Sequence, residues 1–141
     1  MTGFGRSLSH WNSGLLLGFV AMPALTAPKP FDPGKDVRIS FSHGFLVLEI
    51  PEEVHLKQRL FKVEARSQPG AVVPGELPPA SGKDELGDPI WRGTVRVRLL
   101  VRGVKGAMAL CVTYQPCSEG AGSLCYRPQH RILVVDPADF E

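Results

Sequence analysis

The chain has 141 residues, with 16 Lys and Arg against 14 Asp and Glu and a formal net charge of +2. So even a balance, with the basic residues scattered, gives no electrostatic case for nucleic acid. Fifteen glycines and 13 prolines leave little room for a long helix, and the length suits one domain with a real core rather than two.

The first residues have the order of a secretory signal: Arg6 and His10, the apolar run Gly14–Met22, a break at Pro23, then the small residues Ala24, Thr26 and Ala27. The apolar run falls short of the roughly 20 residues that span a bilayer. Residues 1–27 are therefore expected to be a signal peptide, cut near Ala24, Thr26 or Ala27, with an uncleaved amino-terminal anchor as the alternative. Export to the periplasm would place the cysteines where disulfides form and persist. Residues 28–36 are proline-rich and read as a lead-in, and 37–141 as the folded domain.

Six segments carry strand signals. Val37–Phe41 alternates, Phe45–Ile50 is an apolar run of strand length, and Leu60–Ala65 suits a strand. Val95–Leu99 alternates strictly, its arginines reading as a solvated face; Ala107–Gln115 and Ile132–Val135 complete the set. Turn signals at Ser42-His43-Gly44, Pro69-Gly70, Pro78-Pro79, Gly82 and Gly103 separate them. Short strands spaced by turns predict an all-β, immunoglobulin-like antiparallel β-sandwich. Between them, Gln68–Pro89 reads as one long irregular insertion. It is either a surface excursion or a lid over the cysteines, with Leu86 as an apolar cover and Asp84 or Glu85 supplying a carboxylate.

The chemistry centres on Cys111-Val112-Thr113-Tyr114-Gln115-Pro116-Cys117, a loop over Ser118–Leu124, and Cys125-Tyr126-Arg127-Pro128. A strand that stops at one thiol, followed by a loop and a second thiol, can make and break a disulfide without disturbing a core. Closing a loop of about nine residues limits the chain-entropy gain to roughly 2.6 kcal/mol, a modest staple. Exchange needs one accessible cysteine with usable thiolate and a resolving cysteine nearby. Arg127 is either a plain solvent-facing charge or favours a Cys125 thiolate, and Glu119 would oppose one at Cys117; that asymmetry points to Cys125 as the attacking or leaving sulfur and Cys117 as its resolver. Tyr126 either packs beside the sulfurs or fills the sheet. Cys111 shares a strand face with Thr113 and Gln115. It reads as a buried small hydrophobe, or else as a reactive thiol, a third redox partner or an intermolecular bridge.

These residues carry a resemblance. Val112-Thr113-Tyr114-Gln115, one residue, Cys117, a short loop, then Cys125-Tyr126 and Pro128 is similar to the amino-terminal periplasmic domain of the DsbD family of thiol:disulfide interchange proteins. More loosely, so are His55-Leu56, the Leu60–Ala65 strand, Asp84-Glu85 and the region Ile90–Leu100. The resemblance implies a sandwich whose Cys117/Cys125 pair, flanked by Tyr114, Tyr126 and Arg127, takes electrons from a membrane redox relay. It would pass them to exported thioredoxin-like proteins, such as a disulfide isomerase or a cytochrome c maturation factor. The chain departs from the pattern in a longer loop between the cysteines, in Arg127 where the family has proline, and in Leu86 where an aromatic lid residue is expected. The family's membrane-spanning and thioredoxin-like portions are not in this chain, so a separate membrane electron donor is implied.

On this reading the dithiol is itself the carrier, no bound cofactor is needed, and the activity is that of a protein-disulfide reductase. Two rivals remain. One is an exported interaction module with a purely structural disulfide. The other is a copper-binding chaperone using Cys117, Cys125 and His130, whose spacing matches no familiar zinc pattern. Hydrolase signatures such as Gly-x-Ser-x-Gly and His-Glu-x-x-His do not occur.

Overall fold

A computed structural model of the chain describes residues 30–103, 105–120 and 123–141. The expected signal peptide lies outside the described residues. Phe31–Glu141 forms one compact unit. It is an all-β, immunoglobulin-like sandwich of antiparallel sheets, with two short 3-10 turns at Gln58–Leu60 and Pro137–Phe140.

The strands are β1 (Arg38–Ser42), β2 (Phe45–Glu49), β3 (Val54–Lys57), β4 (Lys62–Ala65), β5 (Val72–Pro74), β6 (Gly82–Lys83), β7 (Pro89–Trp91), β8 (Thr94–Val101), β9 (Met108–Tyr114), β10 (Pro116–Ser118) and β11 (Gln129–Val135). They pair in the orders β1-β2-β8-β5, β10-β3-β7-β6 and β11-β9-β4. Alternation along the sequence becomes alternation in space. On β8, Val95, Val97 and Leu99 are buried while Arg96 and Arg98 are exposed; on β9, Met108, Leu110, Val112 and Tyr114 point inward. These side chains meet Leu46, Leu48, Leu56, Val63 and Trp91 in one core. Each aliphatic side chain fully buried there stabilises the fold by about 1.5–3 kcal/mol.

Turn chemistry fixes the first register. His43 and Gly44 both have positive φ, 51° and 80°, the backbone twist that a two-residue hairpin between right-twisted strands requires. A Cβ on Gly44 would stand 3.0 Å from the Phe140 carbonyl oxygen, so glycine is needed there on two grounds. The exposed Arg96 and Arg98 stack over the Phe45 ring at 4.6 and 5.2 Å, as suits a solvated face.

The insertion expected over Gln68–Pro89 is more ordered than its prolines suggest. It contains β5, β6 and the first residue of β7. Both β5 and β6 are edge strands, and Pro74 and Pro89 end one strand and begin another. Those are positions where a missing N–H removes nothing from the ladder. The expected Leu60–Ala65 strand starts only at Lys62, because Leu60 ends the 3-10 turn. Part of the lead-in is docked. Phe31 packs on Tyr126 with ring centroids 5.5 Å apart, and Asp32–Asp36 close a hydrogen-bonded turn. Cys111 is a free thiol on the outer face of β9, opposite Ile132 and Glu64, and only half-buried. The buried position expected for it belongs to its neighbours Leu110 and Val112, which point the other way.

Candidate functional site

Gln115 interrupts the ladder between β9 and β10, and the chain crosses from the β11-β9-β4 sheet to the β10-β3-β7-β6 sheet. Pro116 fits this crossing because the N–H it lacks has no partner to meet on β3. The Leu56–Pro116 pair is flanked by the bond from Lys57 N–H to the Gln115 carbonyl, which marks it as non-hydrogen-bonded. Cys117, one residue on, therefore sits in the hydrogen-bonded position opposite His55.

On the other side of β10, Cys117 faces Cys125 in an isolated antiparallel bridge. Ser118 N–H donates to the Leu124 carbonyl at 2.8 Å and Tyr126 N–H to the Pro116 carbonyl at 2.9 Å. Those two bonds bracket a non-hydrogen-bonded pair, the arrangement that brings opposed side chains closest. The two sulfurs are joined, with Cα atoms 3.9 Å apart. The Ser118 hydroxyl also accepts from Leu124 N–H at 3.0 Å. The hairpin is thus held by its own hydrogen bonds, and opening the disulfide does not oblige the loop to open.

His55, Cys117 and Cys125 form one row across three neighbouring segments, and all three line a cavity of about 380 Å³. Cys117 is 1% exposed, whereas Cys125 faces solvent. Of the two cysteines, Cys125 is the one open to solvent.

The acidic turn lies at the same cavity. Asp84, Glu85 and Leu86 all line it. The Lys57 ammonium, one residue along the same face of β3 from His55, binds the Asp84 carboxylate and stands 3.6 Å from Asp88. The second Asp84 oxygen accepts from the Leu86 and Asp88 amides, each at 2.9 Å. These contacts, led by the Lys57 hydrogen bond, pull the Asp84 carboxyl down to about 2, while Asp84 holds Lys57 above its ordinary value. Leu86 reaches the cavity but leaves 83% of its surface in solvent.

Glu119, expected to place bare negative charge beside Cys117, is neutralised instead. Its Oε2 accepts from Arg92 Nε at 2.6 Å and lies 3.0 Å from His55 Nδ1. The Arg92 hydrogen bond is the larger cause, and the His55 contact a further one, of a Glu119 carboxyl held below its usual range.

The flanking residues are placed differently. Tyr114 is a core residue whose hydroxyl donates to the Pro33 carbonyl at 2.9 Å and accepts from Arg131 Nη2 at 3.1 Å. Burial pushes its pKa up. Tyr126 packs on Phe31, and its carbonyl accepts from Gln115 Nε2. Arg127 is exposed. None of the three lines the cavity. His130, the third ligand of the copper reading, lies on β11 with Nδ1 3.0 Å from the Thr113 hydroxyl, and it does not line the cavity either. In the sequence His55 and Arg92 stand only within the loosely matching His55-Leu56 and Ile90–Leu100, with no role, and Lys57 not at all, because Val54–Lys57 and Pro89–Trp91 are too short for alternation to stand out.

No protein-family model matches this chain, and no curated protein matches it in sequence. In fold it is similar to the crystal structure of the Neisseria meningitidis DsbD N-terminal domain in the reduced form. The TM-score is 0.53 and the identity 14%, over 70% of this chain and 81% of that one. At that identity the likeness is one of fold.

Proposed function

We propose that this domain is an exported, periplasmic thiol:disulfide exchange module that carries electrons through Cys117 and Cys125. The observation that carries the reading is the asymmetry of the pair. An exposed Cys125 and a buried Cys117 are joined at the wall of a cavity, on a hairpin that has backbone hydrogen bonds of its own besides the disulfide. A partner thiolate attacks Cys125 Sγ, and the electron pair of the broken S–S bond leaves with Cys117. A second thiol then releases Cys125 and completes reduction of the pair.

The donor on this reading is a membrane protein. The acceptors are exported thioredoxin-fold proteins, of the disulfide isomerase or cytochrome c maturation type. The fold likeness to a DsbD N-terminal domain supports the exchange reading; the donor and acceptors follow from the sequence resemblance alone. The turn over Asp84, Glu85 and Leu86 acts as a lid that admits a protein partner and slows small thiols.

The deciding experiment is the redox equilibrium of the domain in glutathione buffers, with thiols trapped by alkylation and located by mass spectrometry. A Cys117–Cys125 potential between roughly −180 and −270 mV, the range of known exchange proteins, is expected. A potential below about −300 mV would mark a structural staple and overturn the reading.

A further inference from the structure

Exchange at a buried sulfur has a proton problem. When the disulfide opens, Cys117 leaves as a thiolate in a site from which solvent is nearly excluded, and an uncompensated buried charge is costly. Some group at that wall has to supply a proton, and to remove it again when the disulfide re-forms.

We propose that His55 is that group: it transfers the proton to and from Cys117 Sγ, and Glu119 is the positioning residue that holds its ring. This rests on the exchange reading above. Three observations carry it. First, His55 stands directly opposite Cys117 in the β3–β10 ladder, where opposed Cβ atoms are about 4.5–5.5 Å apart. Directly opposed residues share one face of the sheet, so the imidazole and the Cys117 sulfur lie on the same side. Second, the ring is oriented. Nδ1 meets Glu119 Oε2 at 3.0 Å, and the same oxygen is fixed by Arg92 Nε at 2.6 Å. A proton kept on Nδ1 for Glu119 leaves Nε2 as the atom that exchanges one. Third, His55 is itself buried, 8% exposed, and it lines the cavity with both cysteines.

In the reducing direction, a bond forms from the partner sulfur to Cys125 Sγ as the Cys125–Cys117 bond breaks. Its electron pair goes to Cys117 Sγ, which takes the proton from Nε2 and leaves a neutral ring. The partner's second thiol then attacks its own sulfur in the mixed disulfide; the partner leaves oxidised and Cys125 leaves reduced. In the oxidising direction, Nε2 takes the Cys117 proton. The Cys117 thiolate attacks Cys125 Sγ of a mixed disulfide and expels the partner's thiolate.

A proton shuttle alters both rates and leaves the equilibrium alone. Oxidised full-length protein is reduced with glutathione and reoxidised with glutathione disulfide, in wild type, His55→Gln and Glu119→Gln. In His55→Gln both rate constants are expected to fall together, by about tenfold or more, with the glutathione midpoint unchanged. Glu119→Gln gives a smaller loss in the same pattern. His55→Ala, with the ring removed, is expected to regain rate when free imidazole is added. That rescue is a response a packing role would not give.

Unchanged rates in His55→Gln with a wild-type midpoint in the exchange range overturn the role of His55 and leave the exchange reading standing. So does a loss in His55→Ala that imidazole fails to restore. A wild-type midpoint in the staple range overturns both.

Discussion

Lys57 anchors Asp84, and Asp84 in turn gathers the amides of Leu86 and Asp88, so one ion pair between β3 and the 84–88 turn fixes the segment that borders the disulfide. The turn has no strand of its own beyond the two residues of β6. Its placement depends on that carboxylate being charged.

The pH dependence follows. The Asp84 carboxyl is lowered from 3.8 to about 2, chiefly by its hydrogen bond with Lys57. A carboxyl whose folded value lies below its unfolded one contributes stability that is fully present above the unfolded value and lost as pH falls through the folded value. The Leu86 and Asp88 amides are therefore expected to stay protected down to about pH 3 and to lose protection near about pH 2. In Asp84→Asn they should exchange faster above about pH 3, the difference from wild type closing as pH falls through about 2. Amide hydrogen exchange followed by NMR measures this; loss of protection already above pH 4 in the wild type would contradict it.

If that turn is a lid, shortening its apolar tip should open the cavity to small reductants. Leu86→Gly is expected to raise the rate at which dithiothreitol, which is no partner, reduces the disulfide, while thermal stability barely changes for a side chain already 83% exposed. An unchanged rate removes the lid from the mechanism.

The two sulfurs should differ sharply when separated. With Cys117→Ser, the exposed Cys125 is expected to form a mixed disulfide with glutathione readily and to alkylate at least about tenfold faster than the buried Cys117 left by Cys125→Ser. Both variants are best made in a Cys111→Ser background, because Cys111 is a half-exposed free thiol. Equal rates would mean that the burial of Cys117 does not govern attack.

Tyr114 offers a test of stability apart from the redox chemistry. Tyr114→Phe removes the donor to the Pro33 carbonyl and one acceptor for Arg131. The Pro33 carbonyl is only part-buried, so losing this bond costs about 0.5–1.5 kcal/mol. The same loss is expected in urea unfolding of the oxidised protein, with the Cys117–Cys125 potential unaltered. A shift in potential would instead tie the tyrosine to the sulfurs.

The sequence made some of this legible and hid the rest for physical reasons. β8 and β9 are long, have one buried face, and alternate without a break, so Val95–Leu99 and Met108–Tyr114 announce themselves. The cysteine hairpin is visible because its parts are adjacent in the chain. β3, β7 and β10 hold three or four residues each, and no periodicity can be read over so short a span. Yet these are the strands that set His55, Lys57 and Cys117 side by side. Glu119 misled for a related reason. Its distance in sequence from Cys117 is small, but its charge is answered by Arg92, 27 residues away. Only the pairing of β3 with both β7 and β10 brings those groups together.

Arg131 has a bearing on the order in which the molecule is made. Its guanidinium reaches back 97 and 94 residues to the carbonyls of Gly34 and Val37. On the export reading, where the disulfide forms only after the chain leaves the cytosol, the start of the domain waits for the strand that completes it to follow. Cys111, Cys117 and Cys125 all emerge before that strand does. Ile132 is not yet opposite Cys111, and in the growing chain this third thiol stands open as a competitor for either of its neighbours. Loop length alone would favour the shorter Cys111–Cys117 closure over the eight-residue separation of Cys117 and Cys125, so correct pairing falls to the hydrogen bonds of the hairpin, which set Cys125 opposite Cys117 while the distant strand is still to come.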